Sequence, residues 1–186
     1  MNKKISIAAL GVLFVFVAAT NAQRVPVLNQ IDLPHNYYFR ELYLPQLTSG
    51  PSSVAWTTDG ASLVYSMSGS LWLYSLGTKQ SEQLTDGDGY DYQPDVDRSG
   101  EHVVFVRYNG ESAELMVLNL KSRVEMAITS NKAVNLEPRW SPNGSRMVFV
   151  STVNSGHFLL HSGDFLNNEL VNVKCLTPDQ KSTVKR

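Results

Sequence analysis

Glu137-Pro138-Arg139-Trp140-Ser141-Pro142-Asn143-Gly144-Ser145-Arg146-Met147-Val148-Phe149-Val150-Ser151 is the stretch whose reading decides the fold. A short segment carrying proline and tryptophan meets an Asn-Gly pair and leaves it as an apolar run. Asn-Gly between hydrophobic runs signals a tight hairpin, because both residues accept positive φ. The unit occurs twice more, as Gln93-Pro94-Asp95-Val96-Asp97-Arg98-Ser99-Gly100 and as Ser53-Val54-Ala55-Trp56-Thr57-Thr58-Asp59-Gly60. Its glycines fall at 60, 100 and 144, a spacing of 40 and then 44 residues. Short strands repeated at that period are the mark of a β-propeller, with one four-stranded blade per repeat.

Working outward from the turns, each repeat divides into four strands. In the second copy these are expected at about Tyr92–Asp97, Glu101–Arg107, Ala113–Leu120 and Arg123–Thr129. The second strand, Val103-Val104-Phe105-Val106, is apolar at successive positions, as a strand covered on both faces must be. Each repeat closes on a Leu-Thr-like pair: Leu84-Thr85, Ile128-Thr129 and Leu176-Thr177. A fourth pair, Leu47-Thr48, ends Glu41-Leu42-Tyr43-Leu44-Pro45-Gln46 and precedes the first complete repeat. The expectation is an all-β, partial β-propeller of about three four-stranded antiparallel blades, with an orphan N-terminal closing strand. The alternative for that strand is an unpaired arm packed on the first blade. Three blades fall short of the four to eight of typical propellers. The partners of the orphan strand are therefore expected beyond Arg186, on a longer product. The aromatics Trp56, Trp72, Trp140, Tyr65, Phe105 and Phe149 recur at repeat positions and are expected to pack between blades.

The N-terminus is read separately. Lys3 and Lys4 precede an apolar stretch from Ile5 to Ala19, and Thr20-Asn21-Ala22 offers small residues before Gln23. This is the pattern of a secretory signal peptide over residues 1–22. The stretch is short for a bilayer core that needs about 20 residues, which favours cleavage over a retained anchor. The expected organisation is a signal peptide at 1–22, an arm and closing strand at 23–46, blades at 47–178, and a tail at 179–186 where truncation is expected. Export to the periplasm, or secretion, follows from the leader, with no stable membrane anchor after cleavage. Cys175 is the single cysteine, so no intrachain disulfide forms, and Cys175-Leu176-Thr177 reads as strand. A formal net charge of -1 with no clustering of Lys and Arg gives no basis for nucleic-acid binding.

The motif Pro138-x-Trp140-Ser141-Pro142-Asn143-Gly144-x-x-Met147-Val148-Phe149-Val150-Ser151 resembles the TolB-type propeller repeat, also called the WD40-like PD40 repeat. The third copy matches that family's pattern P-x-W-S-P-D-G-x-x-I-A-F-x-S nearly in full. The first has Thr58 for proline, and the second has Val96 for tryptophan and Arg98-Ser99 for Pro-Asp. More narrowly, three stretches resemble the N-terminal propeller of exported bacterial amidohydrolases related to imidazolonepropionases. They are Asn36 to Pro51, Ser66-Met67-Ser68-Gly69-Ser70-Leu71-Trp72 and Leu84 to Asp95. The resemblance implies a catalytic domain with a metal-binding His-x-His strand, and nothing in these 186 residues corresponds to it.

Candidate chemistry is sparse. Asp86-Gly87-Asp88-Gly89-Tyr90-Asp91 gathers the oxygen ligands that Ca²⁺ prefers, but its spacing is not that of an EF-hand, and Asp and Gly also serve turns. His157 and His161 are four apart on what reads as strand, without the glutamate of a zinc peptidase. No Gly-x-Ser-x-Gly elbow, Walker loop or dinucleotide fingerprint is present. No catalytic residue, metal or cofactor is expected for this chain. Its partner is expected to be another protein, or a C-terminal catalytic domain. The loops entering each innermost strand surround the channel mouth in propellers, so Tyr90, Tyr92, Gln93, Asn135 and Glu137 are the binding candidates.

Overall fold

A computed structural model of the chain describes residues 50–178. The signal peptide at 1–22, the arm and closing strand at 23–46, the Leu47-Thr48 pair and the tail at 179–186 lie outside the described residues. Within them are twelve strands and no helix. The first sheet is β1(Ser52–Trp56), β2(Ser62–Met67), β3(Ser70–Ser75) and β4(Gln80–Gln83). The second is β5(Tyr90–Val96), β6(His102–Tyr108), β7(Ala113–Asn119) and β8(Glu125–Ala127). The third is β9(Asn135–Trp140), β10(Arg146–Ser151), β11(Leu159–Leu166) and β12(Glu169–Cys175). Each is an antiparallel meander in chain order, and each is one blade. Strand β5 packs against β1, β2 and β3, and β9 packs against β5, β6 and β7, so the first strands of successive blades are neighbours.

In the second blade two strands depart from the sequence expectation by two residues at one end or both, and the other ends agree to within one residue. Strand β5 starts at Tyr90, because the loop before it is pinned where Asp91 N donates to Gly69 O at 2.9 Å. Strand β8 is only Glu125–Ala127, because Arg123 sits at φ 61° in a turn closed by its N–H on Asn119 O.

The turn pairs and the Leu-Thr pairs each have a local chemical cause. The residue after each first strand carries a side-chain oxygen that accepts backbone N–H groups across the turn. Thr57 Oγ1 accepts from Ser62 N at 3.0 Å, Asp97 Oδ1 from Glu101 and His102 at 3.0 Å, and Ser141 Oγ from Arg146 N at 3.0 Å. Burial pushes the Asp97 carboxyl up, but hydrogen bonds from Ser99 and His102 outweigh it and hold the carboxyl below its usual value.

At the other end of each blade the fourth strand peels away from the third, and a threonine hydroxyl completes the ladder. Leu71 O accepts from Leu84 N while Leu71 N donates to Thr85 Oγ1 at 2.9 Å. Leu115 pairs in the same way with Ile128 and Thr129 at 2.8 Å, and Leu160 with Leu176 and Thr177 at 3.0 Å. The hydroxyl supplies an acceptor that buried backbone requires and that the departing strand no longer provides.

The core lies between blades. Val64, Leu71 and Leu84 of the first blade meet Val103, Phe105 and Leu118 of the second. The opposite side of β6 sends Val104 and Val106 toward Met147 and Phe149 of the third blade. Residues Val103 to Val106 are all fully buried, which accounts for the uninterrupted apolar run. The recurring aromatics divide. Phe105 and Phe149 are core, and Trp140 packs edge-to-face on Phe165 at 4.9 Å. Trp56 departs from the expectation: it is 62% exposed, because among the described residues no blade stands in front of β1. Cys175 ends β12, half-buried and free.

Candidate functional site

The innermost strands share a distortion. Strands β1, β5 and β9 each carry a register irregularity, and a non-glycine residue there has positive φ: Ser53 at 45°, Gln93 at 54° and Glu137 at 51°. These are equivalent repeat positions. A left-handed conformation costs an L-residue about 1–2 kcal/mol, and a bulge that recurs in every blade is held by the fold. The side chains of adjacent bulges join. Gln93 Nε2 donates to Glu137 Oε1 at 2.6 Å, and Glu137 N donates to Gln93 Oε1 at 2.8 Å. Two residues past Gln93 and three past Glu137, Trp140 N donates to Asp95 Oδ2 at 2.7 Å, while burial pushes the Asp95 carboxyl up.

The five channel-mouth candidates separate by location. Gln93 and Glu137 form this clasp, with Glu137 exposed. Tyr90 and Tyr92 hold their rings 5.9 Å apart. Tyr92 packs beside the apolar cluster of Val106, Leu115 and Phe149. Its hydroxyl is buried without a hydrogen-bond partner; burial, and then the charge of Glu137, push that hydroxyl's pKa well above the ordinary phenol value. Asn135 is fully buried and its polar atoms are spent on the fold. Its Nδ2 donates to Ala113 O at 2.9 Å and Asn131 Oδ1 at 3.0 Å, and its Oδ1 accepts from Ser151 Oγ at 2.7 Å.

Asp91 stands at the repeat position of Asn135 and does the same work. Its carboxylate takes a bidentate pair from Arg107, Nε to Oδ1 and Nη2 to Oδ2, both at 2.7 Å. Asp91 pairs across the strands with Arg107 as Asn135 does with Ser151, so each is a polar lock at the entry to a first strand. Arg107 also meets Glu125 at 2.7 Å, and these carboxylates, Asp91 first, raise the guanidinium's pKa further. The Asp-Gly-Asp-Gly-Tyr-Asp loop folds over this arginine. A Cβ on Gly89 would lie 2.5 Å from Arg107 Cγ, and one on Gly87 would lie 3.4 Å from its guanidinium carbon. The glycines make room for a side chain, and both oxygens of Asp91 are occupied, whereas Asp86 and Asp88 are exposed. Among the described residues, no group of three or more His, Cys, Asp or Glu is gathered as metal ligands.

His157 and His161 do not converge either. His157 is exposed, while His161 is buried, stacks on Phe149 at 5.6 Å and places Nδ1 3.0 Å from Leu159 O. His102 lies between Asp97 at 3.4 Å and Asn119 at 3.5 Å, at the start of β6. Sequence reasoning missed the bulges and the arginine lock. Neither has a signature glycine at the strained position, and a cross-strand pair 16 residues apart leaves no local pattern.

No family model matches the chain, and no curated protein matches it by sequence. Solved structures match it in fold. TolB from Acinetobacter baumannii superposes with a TM-score of 0.60 at 23% identity, over 69% of this chain and 32% of that one. A TolB-like structure from Agrobacterium tumefaciens gives 0.60 at 19% identity, over 68% and 48%. A prolyl endopeptidase gives 0.56 at 10% identity, over 74% and 24%. The chain thus spans about a third of the length of the first of these. Its fold is that of a partial TolB-like propeller.

Proposed function

We propose that the chain is an exported, non-catalytic propeller module that serves as a binding platform. Its face is the channel mouth around Tyr90, Tyr92, Gln93 and Glu137. It holds a protein partner there, or covers the active site of an attached periplasmic hydrolase of the metal-dependent amidohydrolase type. One observation carries this reading: Asp91, Asp97 and Ser151 are committed to the fold, while the strained bulge residues Ser53, Gln93 and Glu137 are polar and mostly open. Asp91 is locked by Arg107, Asp97 by its turn, and Ser151 by Asn135. Strain held in polar residues along one surface is a hallmark of functional positions. Support for the amidohydrolase comes from the motifs at 36–51, 66–72 and 84–95 and from the leader pattern.

The second reading, a TolB-type binding protein or the propeller of a prolyl-peptidase-like enzyme, is favoured by the fold likenesses. Sequencing the reading frame past the codon for Arg186 tests the proposal. A His-x-His strand supports the amidohydrolase, a Gly-x-Ser-x-Gly elbow the peptidase, and further blades alone a TolB-type binder. A stop codon there overturns the attached-enzyme reading. Turnover of ester or amide substrates by the purified chain, lost on Glu137→Gln, overturns the non-catalytic one.

A further inference from the structure

The sequence holds two Asn-Gly pairs, Asn109-Gly110 in the β6–β7 loop and Asn143-Gly144 in the β9–β10 turn. Asn-Gly is prone to spontaneous deamidation, because glycine has no side chain to keep its backbone nitrogen away from the carbonyl carbon of the asparagine amide. Exposure does not separate the pairs, since both asparagines are exposed. Nor does the local turn. Asn109 Oδ1 accepts from Glu111 N at 3.0 Å and Ser112 N at 2.8 Å, and Asn143 Oδ1 accepts from Ser145 N at 3.2 Å. The glycines do differ. Gly144 N donates to Ser141 O at 2.8 Å, and a Cβ on Gly144 would meet Arg98 of the preceding blade at 3.8 Å. Gly110 sits at φ 96°, a Cβ on it would meet open space, and its N–H has no hydrogen-bond partner among the described residues.

We infer that Asn109 is a site of spontaneous covalent modification, deamidation to aspartate and isoaspartate, and that the fold protects Asn143 from the same reaction. Base takes the proton of Gly110 N, that nitrogen bonds to Asn109 Cγ, and the side-chain nitrogen gains a proton and leaves as ammonia. The cyclic imide then takes up a water and opens at either of its carbonyls. A water is consumed and an ammonia released, with nothing oxidised or reduced. At Gly144 the same attack must first break the bond to Ser141 O. A hydrogen bond worth about 1–1.5 kcal/mol slows that step by about tenfold. The product changes the rim of the mouth. Tyr108, just before Asn109, pairs across the strands with Tyr90, so the new carboxylate stands at that end of the blade, next to exposed Glu111. Deamidation also removes the Asn109 Nδ2 donor to Ser112 Oγ at 3.3 Å. That hydroxyl supports Glu114 at 3.0 Å, whose carboxylate accepts from Thr129 Oγ1 at 2.6 Å and Asn135 Nδ2 at 3.3 Å. The modified loop therefore bears on the lock at the entry to the third blade. The inference is independent of the function proposed above.

The test is peptide mapping of the full purified chain aged at mildly alkaline pH, once folded and once in concentrated urea. Trypsin separates the pairs onto the peptides Tyr108–Lys121 and Trp140–Arg146. Mass spectrometry reads the exchange of amide for acid in each peptide, and fragmentation distinguishes Asn109 from Asn119. In the folded chain Asn109 is expected to convert about tenfold faster than Asn143. In urea, where both turns are lost, the two rates should become alike. Asn109→Gln, for which attack needs a larger ring, should abolish conversion at that position, with circular dichroism confirming retained β-structure. Equal rates in the folded chain, faster conversion of Asn143, or no conversion of Asn109 overturns the inference. So does a rate difference that persists in urea, because the residue after each glycine, and not the fold, would then set it.

Discussion

Removing the Thr85 hydroxyl tests the threonine clamp that ends each blade. Leu71 N donates to Thr85 Oγ1 at 2.9 Å, and both residues are buried. Thr85→Val preserves shape and deletes the acceptor, so a buried N–H is left without a partner at a cost of about 1–3 kcal/mol. For a chain of this size each kcal/mol moves Tm by about 2–4 °C, which places the loss at about 4–8 °C for a mid-range cost. Thr177→Val removes the equivalent bond to Leu160 N, but Leu160 is 39% exposed in the single chain and water can take over. That variant is expected within about 0.5 kcal/mol of its parent. Both are compared by thermal and urea melts. Thr85→Ser, which keeps the hydroxyl, should recover most of the loss. Equal losses at the two sites, or a neutral Thr85→Val, would refute the reasoning.

Four further outcomes follow from the polar locks. Gly89→Ala forces a Cβ into Arg107 and should cost about 1–3 kcal/mol in urea unfolding, whereas Gly87→Ala should be near neutral. Arg107→Met leaves the Asp91 carboxylate buried without its partner and should cost about 3 kcal/mol, with much of it recovered in the Asp91→Asn, Arg107→Met double variant. Asp97 has its folded pKa below the unfolded value near 3.9, so its contribution is present above about pH 4 and fades as pH falls through the folded value. The stability gap between wild type and Asp97→Asn should therefore be widest near neutrality and close in acid. Millimolar Ca²⁺ should leave Tm unchanged, because Asp91 is already paired; a rise lost on Asp88→Asn would show that the loop binds metal.

The architecture was legible because its signals are local and repeated. Turn glycines at 60, 100 and 144 lie within a few residues of the turns they close, and the threonine pairs, whose partners are 14 to 17 residues away, are legible because they recur in every repeat. The doubly covered β6 also announced itself, since burial on both faces removes every polar residue from Val103 to Val106. The site was legible in place and less so in role. Asn135 was readable as a loop residue, but its burial depends on Ser151 and Ala113, which are brought to it only by pairing. The Asp-rich loop looked like a cation site because its countercharge, Arg107, sits on another strand. Trp56 matched Trp140 by repeat position, and only the missing neighbour distinguishes their exposure.

Residue-resolved amide exchange of the purified chain tests the central claim most directly, that three equivalent blades are stacked through β6. The account predicts slow exchange at Val64, Phe105 and Phe149, one from each blade, and at the side-chain-capped amides of Leu71 and Leu115. Rapid exchange at the capped amides, or protection confined to one of the three repeats, would contradict it.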